Sequence, residues 1–488
     1  MYSTFTTLEI AQRALHTHQA AISVTGHNIS NANTVGYSRQ MPEITTANPL
    51  SFNGISGKIT MGTGSVMNAI RRVRDSYIDN QFRGETSKYK YWEEMQNSLQ
   101  VLEGVVNEPT DYSLSNDLNE FWNAWSKLAD NTQNTGARDV LIERTSTLVD
   151  SFHRIDRQIA DLEHDLNENV QVLVKQINNY AEQIVELNKQ IKRAEVARDN
   201  PNDLEDQRDL LIDKIAELVP VKVEKVRDTN FSDRDVYELK LSIGDHVLIN
   251  DQKSMPLELS QDGEGKWQVD LPGMEENMGR LAAIIELRDN YLSQQKTEYN
   301  NLAQSIAEIV NTIHRAGQGL EAITTGRDFF VDLTGEGITA KTISVNPDLL
   351  ADPKKIATGK INDPPSLEAG DNKVALDIAS LGQGFSQEVL DTYFGGNNPL
   401  NGASSIGDYY GAIIAKLGVD VQQAERMAEG QSVLVTYMTN RRESISGVSL
   451  DEEMANLIKY QKSYSAAARL VTILDSMFER ILSMGVTR

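Results

Sequence analysis

The chain has 488 residues, with 70 Asp plus Glu against 47 Lys plus Arg, a formal net charge of -23 and no cysteine. That length supports roughly two to four domains with real cores, and an acidity of this size repels phosphate backbones, so nucleic acid is not expected as a partner. Cysteine nucleophiles, disulfides and thiolate metal sites are excluded; no apolar run is long enough for membrane insertion, and the first thirty residues lack the basic cluster and apolar core of a cleaved secretory signal.

The first predicted element is a helix from Phe5 to Thr25, on which Leu8, Leu15, Ile22 and Ile29 recur every seven residues. Ala11, Ala14, Ala20 and Ala21 keep the surface beside that stripe thin. The helix runs into Gly26-His27-Asn28-Ile29-Ser30-Asn31-Ala32-Asn33-Thr34-Val35-Gly36-Tyr37-Ser38-Arg39-Gln40, where three asparagines and two glycines tolerate left-handed backbone and bond their own main chain. Apart from His27, nothing there moves a proton at neutral pH. From the residues alone, an ordinary capped turn and a joint in an assembly both stand.

Residues 40–75 read as extended, with a short strand in Gly57–Val66. Helices follow over Asp75–Leu102 and Ser113–Ala129; Trp122 and Trp125, at helical spacing beside Leu118, read as core and not as a ligand platform. Apolar residues then alternate spacings of three and four from Phe152 to Ala194, a rod of roughly 60 Å, with one four-four step at Leu162-Leu166-Val170 that should unwind a left-handed supercoil locally. Its expected partner runs from Met278 to Ile313 with unbroken alternation, carrying Arg288 and Gln295 as polar seam members that fix register. Between them come a break at Asp199-Asn200-Pro201, a helix from Leu204 to Leu218 in which Asp206, Arg208 and Asp209 read as solvated or paired charges, and a period-two stretch from Val219 to Leu271 that reads as an antiparallel sheet.

Residues 317–404 are rich in Gly, Pro, Asn and Asp, with short apolar pieces such as Phe329-Phe330-Val331, Ile343-Ser344-Val345 and Val374-Ala375-Leu376, and with Asp363-Pro364-Pro365 and Gly395-Gly396-Asn397-Asn398-Pro399 as loops. A helix from Ile406 to about Thr439 completes a small bundle. Ser449 and Glu452 form a capping box for a last helix whose register is Leu450, Met454, Leu457, Gln461, Tyr464, Ala468, Val471, Asp475, Phe478 and Leu482.

No catalytic constellation emerges. The seven histidines are scattered, and there is no His-Glu-x-x-His, Gly-x-Ser-x-Gly or phosphate-binding loop. Carboxylates in so acidic a chain single out no pair. No cofactor, metal site or enzymatic activity is expected.

Asn28 to Gln40 resembles the N-terminal signature of bacterial flagellar axial proteins, and its ending Gly36-Tyr37-Ser38-Arg39-Gln40 is similar to the hook–filament junction family within them, with Val35 where that family often has proline. Leu204–Asp209 and the stretch Ser446–Leu470 also resemble that family, and Tyr464-Ser465-Ala466-Ala467-Ala468 stands where hook proteins carry Gln-Ala-Asn-Ala. The resemblance implies an adapter ring between hook and filament, with the terminal helices toward the tube axis and the inserted sheets outward. It further implies an extracellular location on the flagellum, reached by type III export without a cleaved signal. The implied partners are the hook protein, the second junction protein (hook-associated protein 3), an export chaperone and further copies of the chain in a ring.

The fold expected is mainly α with inserted β. Terminal helices and an extended segment (1–75 and 440–488) would form an axial core; 76–218, 276–316 and 405–439 an antiparallel long-helix bundle; 219–275 a small antiparallel β insert; and 317–404 an outer β-rich domain. The expected subunit interface is Leu8, Leu15, Ile22, Asn28, Ile29, Asn31, Asn33, Gly36, Tyr37, Arg39, Leu450, Met454, Leu457, Tyr464, Val471, Phe478 and Leu482. Of these, Met454, Leu457, Tyr464, Val471 and Phe478 are expected to be shared with the chaperone. The alternative is a secreted coiled-coil adhesin or effector with a ligand-binding surface in 317–404.

Overall fold

The computed structural model describes residues 4–485 apart from 55–56, 107, 109, 111–112, 232–235, 321–325, 362–369 and 401–402. The expected Asp363-Pro364-Pro365 loop lies outside the described residues.

Helix α1 (Thr4–Asn31) ends in the asparagine-rich corner. Strands β1 (Gln40–Thr46), β2 (Leu50–Gly54), β3 (Gly57–Met61) and β4 (Ser65–Arg72) follow, β1 pairing with β4 and β2 with β3, all antiparallel, so the chain leaves as a ribbon and returns beside its own start. Helices α2 (Ser76–Val106), α3 (Leu114–Asp130) and α4 (Thr135–Val196) come next. Ser113 caps α3 by accepting from the Asn116 amide, and Asn134 caps α4 from Gly136 and Ala137. At 62 residues, α4 is a rod of roughly 90 Å. It begins well before the periodic run at Phe152, because Leu141, Thr145 and Leu148 continue its buried face. Leu162, at the four-four step, is only half-buried, while Ile159 and Leu166 are buried.

Helix α5 (Asn202–Leu218) doubles back after the Pro201 break. Strands β5 (Lys222–Arg227), β6 (Tyr237–Ile243), β7 (His246–Asn250) and β8 (Lys253–Ser254) make one antiparallel sheet in chain order, with Leu239, Leu241 and Ile243 alternating into the core. The β9 (Leu259–Gln261) and β10 (Trp267–Val269) hairpin then leads to α6 (Arg280–Glu286) and α7 (Leu292–Arg315). These two helices are joined by a π turn, Leu287–Tyr291, so the second rod is interrupted where the spacing predicted continuity. The cause lies in the seam: Arg288 is fully buried, and its guanidinium pairs with Asp289 and donates to Asn167 Oδ1 (2.9 Å) on α4 and to the Trp267 carbonyl (2.8 Å). One inserted residue re-aims the ladder around that side chain.

Past α7 come β11 (Gly317–Gln318), β12 (Phe330–Asp332), β13 (Ile343–Val345), α8 (Pro347–Ala351), β14 (Gly359–Lys360), α9 (Lys373–Ser380) and α10 (Gln387–Tyr393). The strands expected in 317–404 are therefore very short. Val374 and Ala375, anticipated as part of an extended apolar piece, open α9 instead and are fully buried with Ile378. Three-four spacing at those positions makes one helical face, and that face packs on α3. Far from hanging free, the region is stitched to the main body. Arg138 of α4, fully buried, donates to the carbonyls of Pro353 (3.2 Å) and Ile356 (2.7 Å). Trp125 and Phe121 join Phe329 and Phe330 in one aromatic core, which disposes of a ligand platform at Trp122 and Trp125.

Helix α11 (Ile406–Ser446) returns antiparallel along α2, with Tyr410 bonded to Glu108 at one end and the Arg442 guanidinium 3.8 Å from the Phe82 ring centre at the other. Helix α12 (Leu450–Gly485) then pairs antiparallel with α1.

Candidate functional site

Helix α1 lies between the β1–β4 ribbon and α12. On the ribbon side, Thr17 Oγ1 donates to the Ser65 carbonyl (3.1 Å). Gly64, with φ +96° and its Cβ position 3.2 Å from Ile10 Cγ2, permits the close approach. The most buried stripe of α1 is Ala11, Thr17, Ala21, Val24, Thr25 and Asn28. The larger residues Leu8, Leu15, Ile22 and Ile29 sit on the neighbouring face and are only half-buried. Elements approach closest over small side chains, so alanine and threonine are covered by the ribbon and α12 while the heptad leucines and isoleucines flank them.

The same displacement occurs on α12. Its buried positions Glu453, Ala467 and Leu474 share a heptad with the half-buried Tyr460: Glu453 meets Asn28, and Tyr460 stacks on His18 with centroids 6.3 Å apart. Leu457, Val471 and Phe478 are half-buried beside it, whereas Leu450, Met454, Tyr464 and Leu482 are exposed, together with Ile458, Leu470, Ile473, Met477 and Ile481. The capping box is only half formed. Ser449 Oγ lies 3.5 Å from the Glu452 amide, but the Glu452 carboxylate reaches Arg39 at 2.8 Å.

The corner itself is a hydrogen-bonded node. Asn28 Nδ2 donates to the Gln40 carbonyl (2.8 Å) and to Glu453 Oε2 (3.0 Å); its Oδ1 accepts from Tyr37 OH (2.7 Å) and from the Gln40 amide (2.9 Å). A buried amide so fully satisfied fixes a single geometry. Arg39 donates to Glu453 (2.8 Å), and its own amide donates to the Ser446 carbonyl (2.8 Å), tying the corner to the α11–α12 turn. Gly36, at φ +82°, places its Cβ position 3.3 Å from Leu210 of α5, where a side chain would be strained. Asn31 bonds back to His27 and Thr34 within the turn, and Asn33 is exposed.

Beneath the corner, α5 supplies a set of buried charges. Asp206 accepts from the Ser38 amide (2.9 Å), Ser38 Oγ (2.7 Å) and Arg72 (2.7 Å); Asp209 accepts from Arg72 (3.0 Å) and pairs with Arg74 (3.2 Å); Asp213 bridges Arg83 of α2 (2.6 Å) and Arg442 of α11 (2.7 Å). Desolvation works against the Asp209 charge, but Arg74, Arg72, Arg208 and Arg83 outweigh it and hold the carboxyl well below the usual range. Burial, followed by Asp203, Asp206 and Glu453, pushes the Tyr37 hydroxyl far up, so it stays protonated as a donor. Every carboxylate in this node is committed to a cation or donor, an arrangement suited to transmitting position between four stretches of chain, not to moving protons.

The structure thus brings together Asn28, Tyr37 and Arg39 from the expected set. Ser38, Gln40, Arg72, Arg74, Asp213, Arg442 and Glu453 lie outside that set, and of the two readings of the Asp206 and Asp209 charges, solvated or paired, the structure shows them paired. The two-residue spacing of Arg72, which ends β4, and Arg74 just past it, against Asp206 and Asp209 one turn apart on a helix, was the available signal. Among the described residues, no group of three or more His, Asp and Glu is placed to hold a metal, and no helix is long and apolar enough to cross a membrane.

Residues 99–330 match the family described as flagellar hook-associated protein FlgK helical domain, residues 8–37 the flagella basal body rod protein, and residues 441–484 the C-terminal part of the flagellar basal body rod FlgEFG proteins. The chain is 30% identical, over all of its length and 99% of the relative's, to flagellar hook-associated protein 1 of Bacillus subtilis (strain 168). It is 26% identical, over 97% of its length and 98% of the relative's, to that of Escherichia coli (strain K12). In fold it is similar to the flagellar hook junction protein FlgK from Burkholderia pseudomallei, with a TM-score of 0.60 and 15% identity, covering 75% of this chain and 100% of that one.

Proposed function

The chain belongs to the flagellar hook-associated protein 1 family, structural proteins of the flagellar hook–filament junction, and from that premise we propose how it joins its neighbours. Helices α1 and α12 act as the adhesive ends, completing their packing on other copies in a ring below the filament. The observation that carries this reading is the two-sidedness of α12. One side is buried on α1, while Leu450, Met454, Ile458, Ile473, Met477 and Ile481 leave apolar surface in water, more than a helix in its final environment would expose. Val433, Leu434 and Tyr437 continue that exposure on α11.

The interface proposed is the flanking stripe Leu8, Leu15, Ile22 and Ile29, the exposed turn at Asn33 and the α12 series from Leu450 to Leu482. Met454, Leu457, Tyr464, Val471 and Phe478 are covered by an export chaperone before assembly. Outside the cell, the hook protein lies below and the second junction protein, hook-associated protein 3, above. No reaction is assigned: the node at the corner is a brace.

A strain lacking the chain should complete its hooks and then shed filament subunits into the medium. Restoring the wild-type gene should stop the loss. Filaments that stay attached without this chain would overturn the reading.

A further inference from the structure

Residues 353–360 run as a strap over the start of α4 and the end of α7, with Ile356, Ala357, Thr358 and Gly359 buried in succession. One peptide of the strap is held at both of its polar ends. The Ile356 carbonyl accepts from Arg138 Nη1 of α4 (2.7 Å), and the Ala357 amide of the same peptide unit donates to His314 Nε2 of α7 (3.0 Å). A trans peptide points its carbonyl and its N–H in opposite directions, so the two side chains grip it from opposite sides.

These partners leave His314 a single form. A backbone amide only donates and a carbonyl only accepts, so Nε2 offers a lone pair to Ala357 while Nδ1 carries the proton given to the Arg327 carbonyl (2.8 Å). The surroundings oppose a second proton. Arg138 is itself fully buried and, among the described residues, spends its donors on the carbonyls of Thr132, Pro353 and Ile356 and on Thr358 Oγ1, not on a carboxylate. Asp328 favours the imidazolium but is engaged by Arg315 of α7, Asp352 acts on Arg138, and Asp377 of α9 is held by Lys373 and Tyr393. Lys354 and Lys360 of the strap are exposed and Lys355 is half-buried, while α3 presents the Trp125 ring. His153 differs: its Nε2 already donates to the Ile343 carbonyl (2.9 Å), and a second proton on Nδ1 would leave that bond intact.

We propose that Arg138 and His314 form an acid-released latch: a proton taken up at His314 Nε2 turns the acceptor of the Ala357 amide into a second donor, and the strap lifts from α4 and α7 while the helical body stays folded. Two buried cations then face one peptide, and water entering beneath the strap is what relieves them. Residues 317–320 lift with it, since the Leu320 amide bonds to the Lys354 carbonyl (2.9 Å) and the Thr358 amide to the Gln318 carbonyl (3.0 Å). Acid thereby unseats the footing of the 317–404 region on the body.

Hydrogen exchange of the full chain, corrected for the intrinsic pH dependence of amide exchange, tests the latch. Opening at residues 353–360 should rise roughly a hundredfold between pH 7 and pH 4, the factor set by the fall of the imidazole from its ordinary value to about 4. It should also outrun opening at residues 155–185 of α4. His314→Gln keeps an acceptor for the Ala357 amide that takes no proton, and should flatten the rise. If that variant does not fold, histidine NMR of the wild type decides: one imidazole should stay neutral below pH 5 and gain its proton in step with the opening. A strap as protected at pH 4 as at pH 7, opening at 353–360 no faster than in α4, a rise undiminished in His314→Gln, or seven histidines all charged by pH 5 would each overturn the latch.

Discussion

Asn28 and Glu453 stand 425 residues apart in the chain and meet through a 3.0 Å hydrogen bond that closes the N-terminal corner onto the first turn of the last helix. The same amide holds Gln40 and Tyr37, so one side chain sets where α1 stops, where the ribbon starts and where α12 docks. Asn28→Ala should therefore loosen all three, at a cost of about 2 kcal/mol, read as roughly thirtyfold faster hydrogen exchange in residues 20–31 and 450–460. Asn28→Asp should be worse than alanine, since it removes the donor and sets a second carboxylate against Glu453. Equal exchange in the aspartate and alanine variants would show that the amide is not the pivot.

Much of the frame was legible because it obeys simple periods. The buried face of α4 and the alternation of β6 are both written in large apolar residues, which burial selects strongly. The covered residues of α1 and α12 were not. Ala11, Thr17, Ala21 and Asn28 on the first helix and Glu453 and Ala467 on the second present no stripe of large apolar residues, and the heptad pattern points instead to Leu8, Leu15, Ile22 and Ile29 on the adjoining face. The charged node was hidden for another reason. Arg72 and Asp206 are 134 residues apart, and no local spacing announces an ion pair made by tertiary folding. The π turn at Arg288 likewise answers to Asn167 and Trp267, which belong to other elements.

Asp206 offers a test of that node. Asp206→Ala strands the Ser38 amide and part of the Arg72 guanidinium in a buried site, and breaking such a pair from one side costs about 3 to 5 kcal/mol. Urea unfolding should register the loss, and exchange at residues 36–40 should rise more than at residues 155–185 of α4. Asp206→Asn, which keeps the shape and one acceptor, should recover part of the difference. A variant as stable as wild type would mean that the node is ornamental.

His314 gives the body a pH dependence of its own. The imidazole is fully buried, Nδ1–H donating to the Arg327 carbonyl (2.8 Å) while Nε2 accepts from the Ala357 amide (3.0 Å). Desolvation, with Arg138 adding to it, depresses the pKa to about 4, because a second proton would face the Ala357 N–H. The unfolded chain takes up its proton near pH 6.5, the folded one only near 4. Between those values the unfolded state binds more protons, so stability falls as pH falls from 6.5 to 4, by about 3 kcal/mol, and levels off below. Subtracting the pH profile of His314→Gln from that of wild type should isolate this slope; two parallel profiles would exclude His314 as its source.

Leu457 and Val471 flank the buried heptad of α12, where a carboxylate spares the body but spoils an apolar contact. Leu457→Asp with Val471→Asp should weaken chaperone binding at least tenfold, as loss of a central apolar anchor does, and should stop junction assembly while α3, α4 and α7 melt as before. Undiminished chaperone affinity would take Leu457 and Val471 out of the shared surface.

The ends of the free chain should be its least stable part. Ile155, Ile177 and Ile306 are sealed in the body, but Leu8, Leu15, Ile22, Leu457, Val471 and Phe478 are half-open, and helices without a full apolar contact are marginal in water. What holds them is the corner node at one end of the α1–α12 pair, whereas among the described residues Met477, Ile481 and Leu482, toward the other end, are exposed. Exchange in the purified monomer should therefore be fastest at both chain termini and slow progressively toward Asn28 and Glu453, and incorporation into the junction should suppress that gradient. Protection of residues 5–15 equal to that of α4 in the free chain would mean that the ends need no neighbours, and the proposed mode of assembly would fail with them.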